Sequence, residues 1–254
     1  MQENVRNSPN LQTVAEQLQF YNPGSLNSKL ESNDDNMFGS KCEMECNKAK
    51  DERCGCLEWR DRRAAVLICL FEGHEGELRV LLTKRSMELS SHPGDVALPG
   101  GKMEEGDADY SATALREAME EIGLNPALIQ VVANLEPFVS QHQLRVVPVV
   151  GLLDRVEEFK PILNTSEVDA IFDVPMEMFL KEDNHRFEKK EWMGWKYNLH
   201  RFDYESEQGV FLIRGLTASI LIRASSLIYQ RSPCFDQDLP DFQQLQRALN
   251  DQCS

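Results

Sequence analysis

No run of about eighteen apolar residues occurs in the 254-residue sequence, which excludes a membrane-spanning helix of ordinary length. Positive charge is also scarce. Lys and Arg total 27 against 42 Asp and Glu, a formal net charge of −15. Such a chain lacks the basic surface that a nucleic-acid or anionic-membrane binder needs. A phosphate-rich ligand is not excluded, because a divalent cation reverses the local sign. No apolar leader follows Met1, and the 7 cysteines are odd in number. A reducing compartment is expected. The first thirty residues carry only Arg6 and Lys29 as positive charges, whereas organelle transit peptides are Arg-rich. A cytoplasmic location is expected, or a mitochondrial one if an atypical targeting signal is present.

Apolar residues make up 41% of the chain, enough for a sizeable core in one enzyme-sized domain. Residues 1–61 are rich in Asn and Ser and read as a poorly ordered extension, with one short amphipathic stretch from Leu11 to Phe20. Cys42, Cys46, Cys54 and Cys56 crowd into that extension. Four thiolates suffice for zinc, but their spacing matches no common two-pair pattern, and free thiols are the plainer reading. The domain proper is expected over 62–232, with a tail over 233–254. Strands are expected at Ala64–Phe71, Leu78–Thr83, Asp95–Leu98, Val131–Phe138, Arg145–Leu153, Val168–Val174 and Trp195–Tyr204. Helices are expected at Tyr110–Ile122 and Gly215–Gln230, with a helical turn over Pro175–Leu180. Short strands interrupted by two good helices predict an α/β sandwich, a mixed sheet between helices.

The most informative segment runs from Pro99-Gly100-Gly101 to Gly123-Leu124. Asp107, Asp109 and Ser111 offer capping oxygens at the start of its helix, and Gly123 suits a left-handed cap at its end. Ala112, Leu115, Met119 and Ile122 recur at spacings of three and four, the pattern of an apolar stripe. Relative to Glu117, Glu120 sits at about −60° and Glu121 at about +40° around the helix. Three like charges in one arc repel each other, and they lie near the helix C-terminus, where the macrodipole disfavours them. A solvated acidic face is the bland reading of such a helix. Against it stands the Pro-Gly-Gly turn, whose glycines let backbone N–H groups approach phosphate oxygens. A divalent cation would relieve the repulsion, and hard carboxylate oxygens select Mg²⁺ or Mn²⁺.

These residues resemble the signature of the Nudix hydrolases. Gly101 is followed by five residues, Asp107 and eight more residues. The sequence then continues Arg116-Glu117-Ala118-Met119-Glu120-Glu121-Ile122-Gly123-Leu124. Asp107 replaces a Glu, and one extra residue precedes Arg116. A second block, Leu81-Leu82-Thr83-Lys84-Arg85-Ser86 with Leu89, His92, Gly94 and Val96 to Gly101, is similar to the block before the box in coenzyme A pyrophosphatases, plant members above all.

The resemblance implies a Nudix-type α/β/α sandwich and Mg²⁺- or Mn²⁺-dependent hydrolysis of the diphosphate of coenzyme A or an acyl-CoA. The products would be 4′-phosphopantetheine or its acyl form and adenosine 3′,5′-bisphosphate. The alternative substrates are NADH, ADP-ribose or another nucleoside diphosphate derivative. The implied metal ligands are Glu117, Glu121 and Glu120, with Glu120 direct or through water. Arg116 is expected to orient a carboxylate by a bidentate pair, or else to form a surface ion pair. Lys84, Arg85 and His92 are candidates for substrate phosphate, beside the Gly100 and Gly101 backbone. The other readings of these side chains are an edge-strand charge pair and a turn-stabilising histidine. Phe138 and the Ser140–Gln143 loop, and Trp192 and Trp195 as an adenine stack, are further candidates for which packing is the plainer reading. A small-molecule substrate is the expected partner, not a nucleic acid or a membrane.

Overall fold

The computed structural model of the protein describes residues 9–21, 62–140, 144–192 and 195–237. The Cys42–Cys56 cluster and residues 141–143 lie outside the described residues, as do the side chains of Trp192 and Trp195. Among the described residues, no helix is long and apolar enough to cross a membrane.

Strand β1 (Arg63–Glu72) lies at the centre of an 8-stranded sheet. It pairs in parallel with β7 (Arg145–Leu153) and antiparallel with β2 (Leu78–Arg85). The sheet continues through β5 (Ile129–Asn134) beyond β7, and through β8 (Val168–Pro175) beyond β2. The short β6 (Phe138–Val139) also pairs with β7. One parallel pair among antiparallel ones makes the sheet mixed, as expected. β1 reads as an unbroken apolar run because both of its faces are covered. Ala64, Ile68 and Leu70 join one core, whereas Ala65, Leu67, Cys69 and Phe71 join the other.

β1 and β2 pair only from Leu70↔Val80 to Glu72↔Leu78 and then part. The separated ends are filled from Val96 onward. β3 (Val96–Ala97) pairs with β2, and β4 (Gly100–Lys102) pairs with β1. This wedge brings the Pro-Gly-Gly turn into the sheet, and Leu67 N donates to Pro99 O at 2.7 Å.

Helix α2 (Tyr110–Ile122) covers one face of the sheet. Helices α1 (Leu11–Leu18) and α3 (Gly215–Ile228) cover the other. A second, 3-stranded sheet, β9 (His185–Trp192), β10 (Trp195–Ser206) and β11 (Gly209–Arg214), adds Phe202, Phe211 and Ile213 to that second core. Neither β9 nor β11 is expected from the sequence. β9 reads HRFEKKEW, which offers no apolar alternation for a period-two reading to find.

Both expected domain boundaries shift. Leu11, Val14 and Leu18 of the supposed extension are buried against the domain. At the other end, Phe235 stacks on His185 with ring centroids 3.7 Å apart, and Cys234 N donates to Leu180 O at 2.9 Å. Residues 9–21 and 233–237 therefore belong to the packed body. His185 and His200 are hydrogen-bonded to each other at 2.9 Å, and His200 is fully buried. Cys69 is a buried free thiol in the core, as its apolar strand implies.

Candidate active site

Helix α2 is capped at both ends. Asp109 Oδ1 accepts from Ala112 N at 2.8 Å, and Gly123 takes the left-handed conformation at φ 71°. A Cβ at Gly123 would also come within 2.9 Å of Ile162. The buried stripe differs from the expected one. It comprises Thr113, Ala114, Ala118, Glu121 and Ile122, while Met119 is exposed. Two alanines let the helix lie close to the sheet, and the slight rotation turns a carboxylate inward.

Glu121 is only 5% exposed, and its Oε2 accepts from Gly100 N at 3.2 Å. Burial pushes its carboxyl up to about 8, with the neighbouring Glu117 and Glu167 charges adding to the shift; the Gly100 N–H and Arg85 oppose it. Glu117 is held above its ordinary value by burial as well, with Arg116 opposing and Glu120 and Glu167 adding. Gly101 lies directly under Glu117, since a Cβ there would come within 2.4 Å of the carboxylate. At Gly100, φ is 154° and a Cβ would meet Ala65 O at 2.3 Å. Gly101 thus permits a close approach between backbone and acid, and Gly100 one between this turn and β1, that no other residue allows.

Glu120 takes a different place. Its side chain is 55% exposed and bonds Arg116 Nη1 at 3.0 Å. Arg116 is the hub of this edge. It clasps Asp107 in a bidentate pair, reaches Glu117 Oε1 at 3.1 Å, and donates to Lys102 O at 3.0 Å. The Arg116 guanidinium, with help from Glu104 N and Thr113 Oγ1, holds the Asp107 carboxyl well below the usual range. Asp107 thus serves the arginine.

Among the described residues, no three His, Cys, Asp or Glu side chains already stand as a ligand set. Glu117 and Glu121 nevertheless fit a divalent cation by their donor chemistry. Glu121 is a buried carboxylate with one backbone donor beside a second half-buried carboxylate, an arrangement that disfavours two negative charges without a cation.

The structure separates Lys84 from Arg85. Along β2, Leu78, Val80 and Leu82 face the α1–α3 core, while Leu81 faces α2. Lys84 continues the first row and Arg85 the second. A bulge in β8 confirms the split: Ala170, opposite Lys84, packs on the α3 side, and Val168, opposite Arg85, on the α2 side. Arg85 is therefore the member of the pair that acts on Glu121. Its Nε is buried with no hydrogen-bond partner among the described residues. His92 sits at φ 53° in the 86–95 loop, with Nδ1 3.3 Å from Asp95 Oδ2.

Glu167 is absent from the sequence reading. The segment before β8 is bound to the end of α2, where Ile162 N donates to Ile122 O at 3.0 Å and Asn164 N to Glu121 O at 2.9 Å. These bonds satisfy helix-end carbonyls and fix Glu167 near enough to act electrostatically on both Glu117 and Glu121. No local pattern marks it, because its relation to α2 exists only in the fold.

A family model described as NUDIX domain matches residues 61–196. The chain is 58% identical over 184 residues to Nudix hydrolase 15, mitochondrial, of Arabidopsis thaliana, covering 72% of this chain and 65% of that protein. It is 48% identical over 236 residues to Nudix hydrolase 22, chloroplastic, of the same plant, covering 92% of this chain and 78% of that protein. It is 39% identical over 170 residues to peroxisomal coenzyme A diphosphatase NUDT7 of Mus musculus, covering 65% of this chain and 71% of that protein. The chain thus spans just under two thirds of the first of these relatives and more than two thirds of the other two. With the matched region and the carboxylate helix in agreement, the chain belongs to the Nudix hydrolase family.

Proposed function

We propose that the protein hydrolyses the diphosphate linkage of coenzyme A and acyl-CoA. Water adds across the P–O–P bridge, giving 4′-phosphopantetheine or its acyl form and adenosine 3′,5′-bisphosphate. The observation that carries this reading is the buried Glu121 beside Glu117, backed by the Gly100–Gly101 turn. The substrate class rests on the Leu81–Gly101 block and on likeness to a mouse protein named as a coenzyme A diphosphatase.

Glu117 and Glu121 would hold Mg²⁺ or Mn²⁺, with Glu120 swinging in from Arg116 or acting through water. When bound, the cation neutralises charge developing at phosphorus and lowers the pKa of water. The chain's own groups do the rest. Arg116 would orient Glu117, the Gly100–Gly101 backbone would admit the diphosphate closely, Arg85 would offset negative charge, and Glu167 would accept the proton of the attacking water.

The test is competition among coenzyme A, NADH and ADP-ribose at equal concentration with Mg²⁺ or Mn²⁺, products identified by mass. Coenzyme A should be consumed first. Preference for NADH or ADP-ribose would move the assignment to another nucleoside diphosphate derivative. The two plant relatives are named as mitochondrial and chloroplastic, which favours an organelle over the cytoplasm for this chain. Imaging a fluorescent fusion decides that point.

A further inference from the structure

Lys84 occupies an unusual place. It lies on a strand paired on both edges, with Val96 on one side and Ala170 on the other. It continues the row of Leu78, Val80 and Leu82, all buried in the α3-side core. A cation in phase with such a row loses hydration, and among the described residues no anion compensates it. Its surroundings are a cleft of about 270 Å³ between β2–β3 and β11, lined by Lys84, Asp95, Val96, Val210, Leu212 and Arg214 among others.

The charges of the cleft do not cancel. Asp95 is its one acid, and that carboxylate is already shared. Oδ1 receives Arg214 Nη2 at 2.8 Å, and Oδ2 lies 3.3 Å from His92. Arg214 is thereby steadied at the rim while its side chain stays 55% exposed. Lys84 adds a second cation, leaving the cleft positive in a chain whose net charge is −15. The far wall is apolar, and Val210 is 69% exposed. Two cations beside an apolar wall suit a phosphomonoester attached to a nucleoside, the charges taking the phosphate and the wall taking sugar or base.

We propose that this cleft is a subsite for the 3′-phosphate of coenzyme A, with Lys84 and Arg214 as its specificity residues. The proposal deepens the coenzyme A reading and rests on it. It assigns a role to Arg214, which lies well beyond the Leu81–Gly101 block, and separates the work of Lys84 from that of Arg85. Arg85 serves the carboxylate face, and Lys84 the opposite face at the same end of β2.

The test compares coenzyme A with dephospho-coenzyme A, which lacks only the 3′-phosphate. Lys84→Gln and Arg214→Gln should each lower the ratio of kcat/KM for coenzyme A over dephospho-coenzyme A by tenfold or more. The ratio is insensitive to the folded fraction, because misfolding lowers both activities alike. An unchanged ratio in both variants overturns the subsite. Calorimetry supplies a readout that needs no turnover. The unsubstituted protein should bind adenosine 3′,5′-bisphosphate at least tenfold more tightly than adenosine 5′-monophosphate, and both variants should lose that preference. Absence of coenzyme A hydrolysis with the preference intact defeats the catalytic reading alone. Hydrolysis with no preference defeats the subsite alone.

Discussion

Arg116 holds Asp107 with Nε and Nη2 each 3.0 Å from a carboxylate oxygen, and the same guanidinium reaches Glu117. One cation therefore joins the loop before α2 to an acid of the site. Asp107 is 6% exposed at its side chain, so removing its charge leaves Arg116 partly buried without its main partner. Asp107→Ala should lower unfolding free energy by about 1–3 kcal/mol, measured by urea denaturation. Arg116→Lys should cost nearly as much, because an ammonium cannot reproduce the forked pair. Asp107→Glu, which keeps a carboxylate, should recover part of the loss.

The buried carboxyl of Glu121 makes stability depend on pH in a definite direction. Its value rises from 4.5 to about 8 on folding. Between those values the folded chain keeps a proton that the unfolded chain has released. The contribution is fully present below pH 4.5 and is lost as pH rises through about 8. Melting in a chelator should therefore show a Tm difference between the parent and Glu121→Gln that grows in favour of the variant from pH 5 to pH 9. Mn²⁺ should raise the parent's Tm more at pH 8 than at pH 6, and should do little for the variant. A pH-independent difference would mean that Glu121 is ionised throughout.

Much of this arrangement was legible in the sequence, and the exceptions have physical causes. Helix α2 is found with its bounds unchanged because caps and period agree with each other. β7 is equally plain because a strand buried on both faces is an unbroken apolar run. The turn of Glu121 inward was not legible. Helical winding places three acids in one arc, but which one meets the sheet depends on how closely Ala114 and Ala118 allow the helix to approach. Lys84 and Arg85 read as one basic pair although period-two alternation sends them to opposite faces; that separation gains meaning only when both faces are known to be occupied. β9 is dominated by charged residues and shows no apolar alternation, and β11, GVFLIR, is a short apolar run that leads straight into α3.

Glu167 is the candidate base of the proposed reaction, since it acts electrostatically on both Glu117 and Glu121. It reaches the site because Ile162 N and Asn164 N bind the last carbonyls of α2. Glu167→Gln should lower kcat by about 10²–10⁴-fold if it accepts the proton of the attacking water. KM should change little, and the circular dichroism spectrum should match the parent. Glu117→Gln and Glu121→Gln should also abolish most turnover, but they should weaken Mn²⁺ binding by calorimetry as well. A Glu167→Gln protein with parental kcat would remove Glu167 as the base.

The amino-terminal helix separates stability from catalysis. Asn10 caps α1 through Thr13 N at 2.8 Å, and Leu11 N donates to Glu72 Oε1 at 3.1 Å. Beyond the helix, the Tyr21 hydroxyl bonds Glu136, whose other oxygen takes Arg223 of α3. The chain is thus fastened at both ends of a short helix whose inner side, Leu11, Val14 and Leu18, is buried. An eight-residue helix is not stable alone, so its order derives from this docking. Leu18→Ala should lower unfolding free energy by about 2–5 kcal/mol, and Val14→Asp should be worse because it buries an unpaired charge. Helix α1 lies across the sheet from α2, against β1, β5 and α3, on the face opposite Glu117 and Glu121. At a temperature where the Leu18→Ala protein remains folded, its kcat should equal the parent's, while its Tm falls by several degrees. Removal of residues 1–21 should expose the same apolar surface on the sheet and shift the protein toward aggregation, measured by light scattering. A truncated protein with the parental Tm would show that the docked helix contributes nothing to the fold.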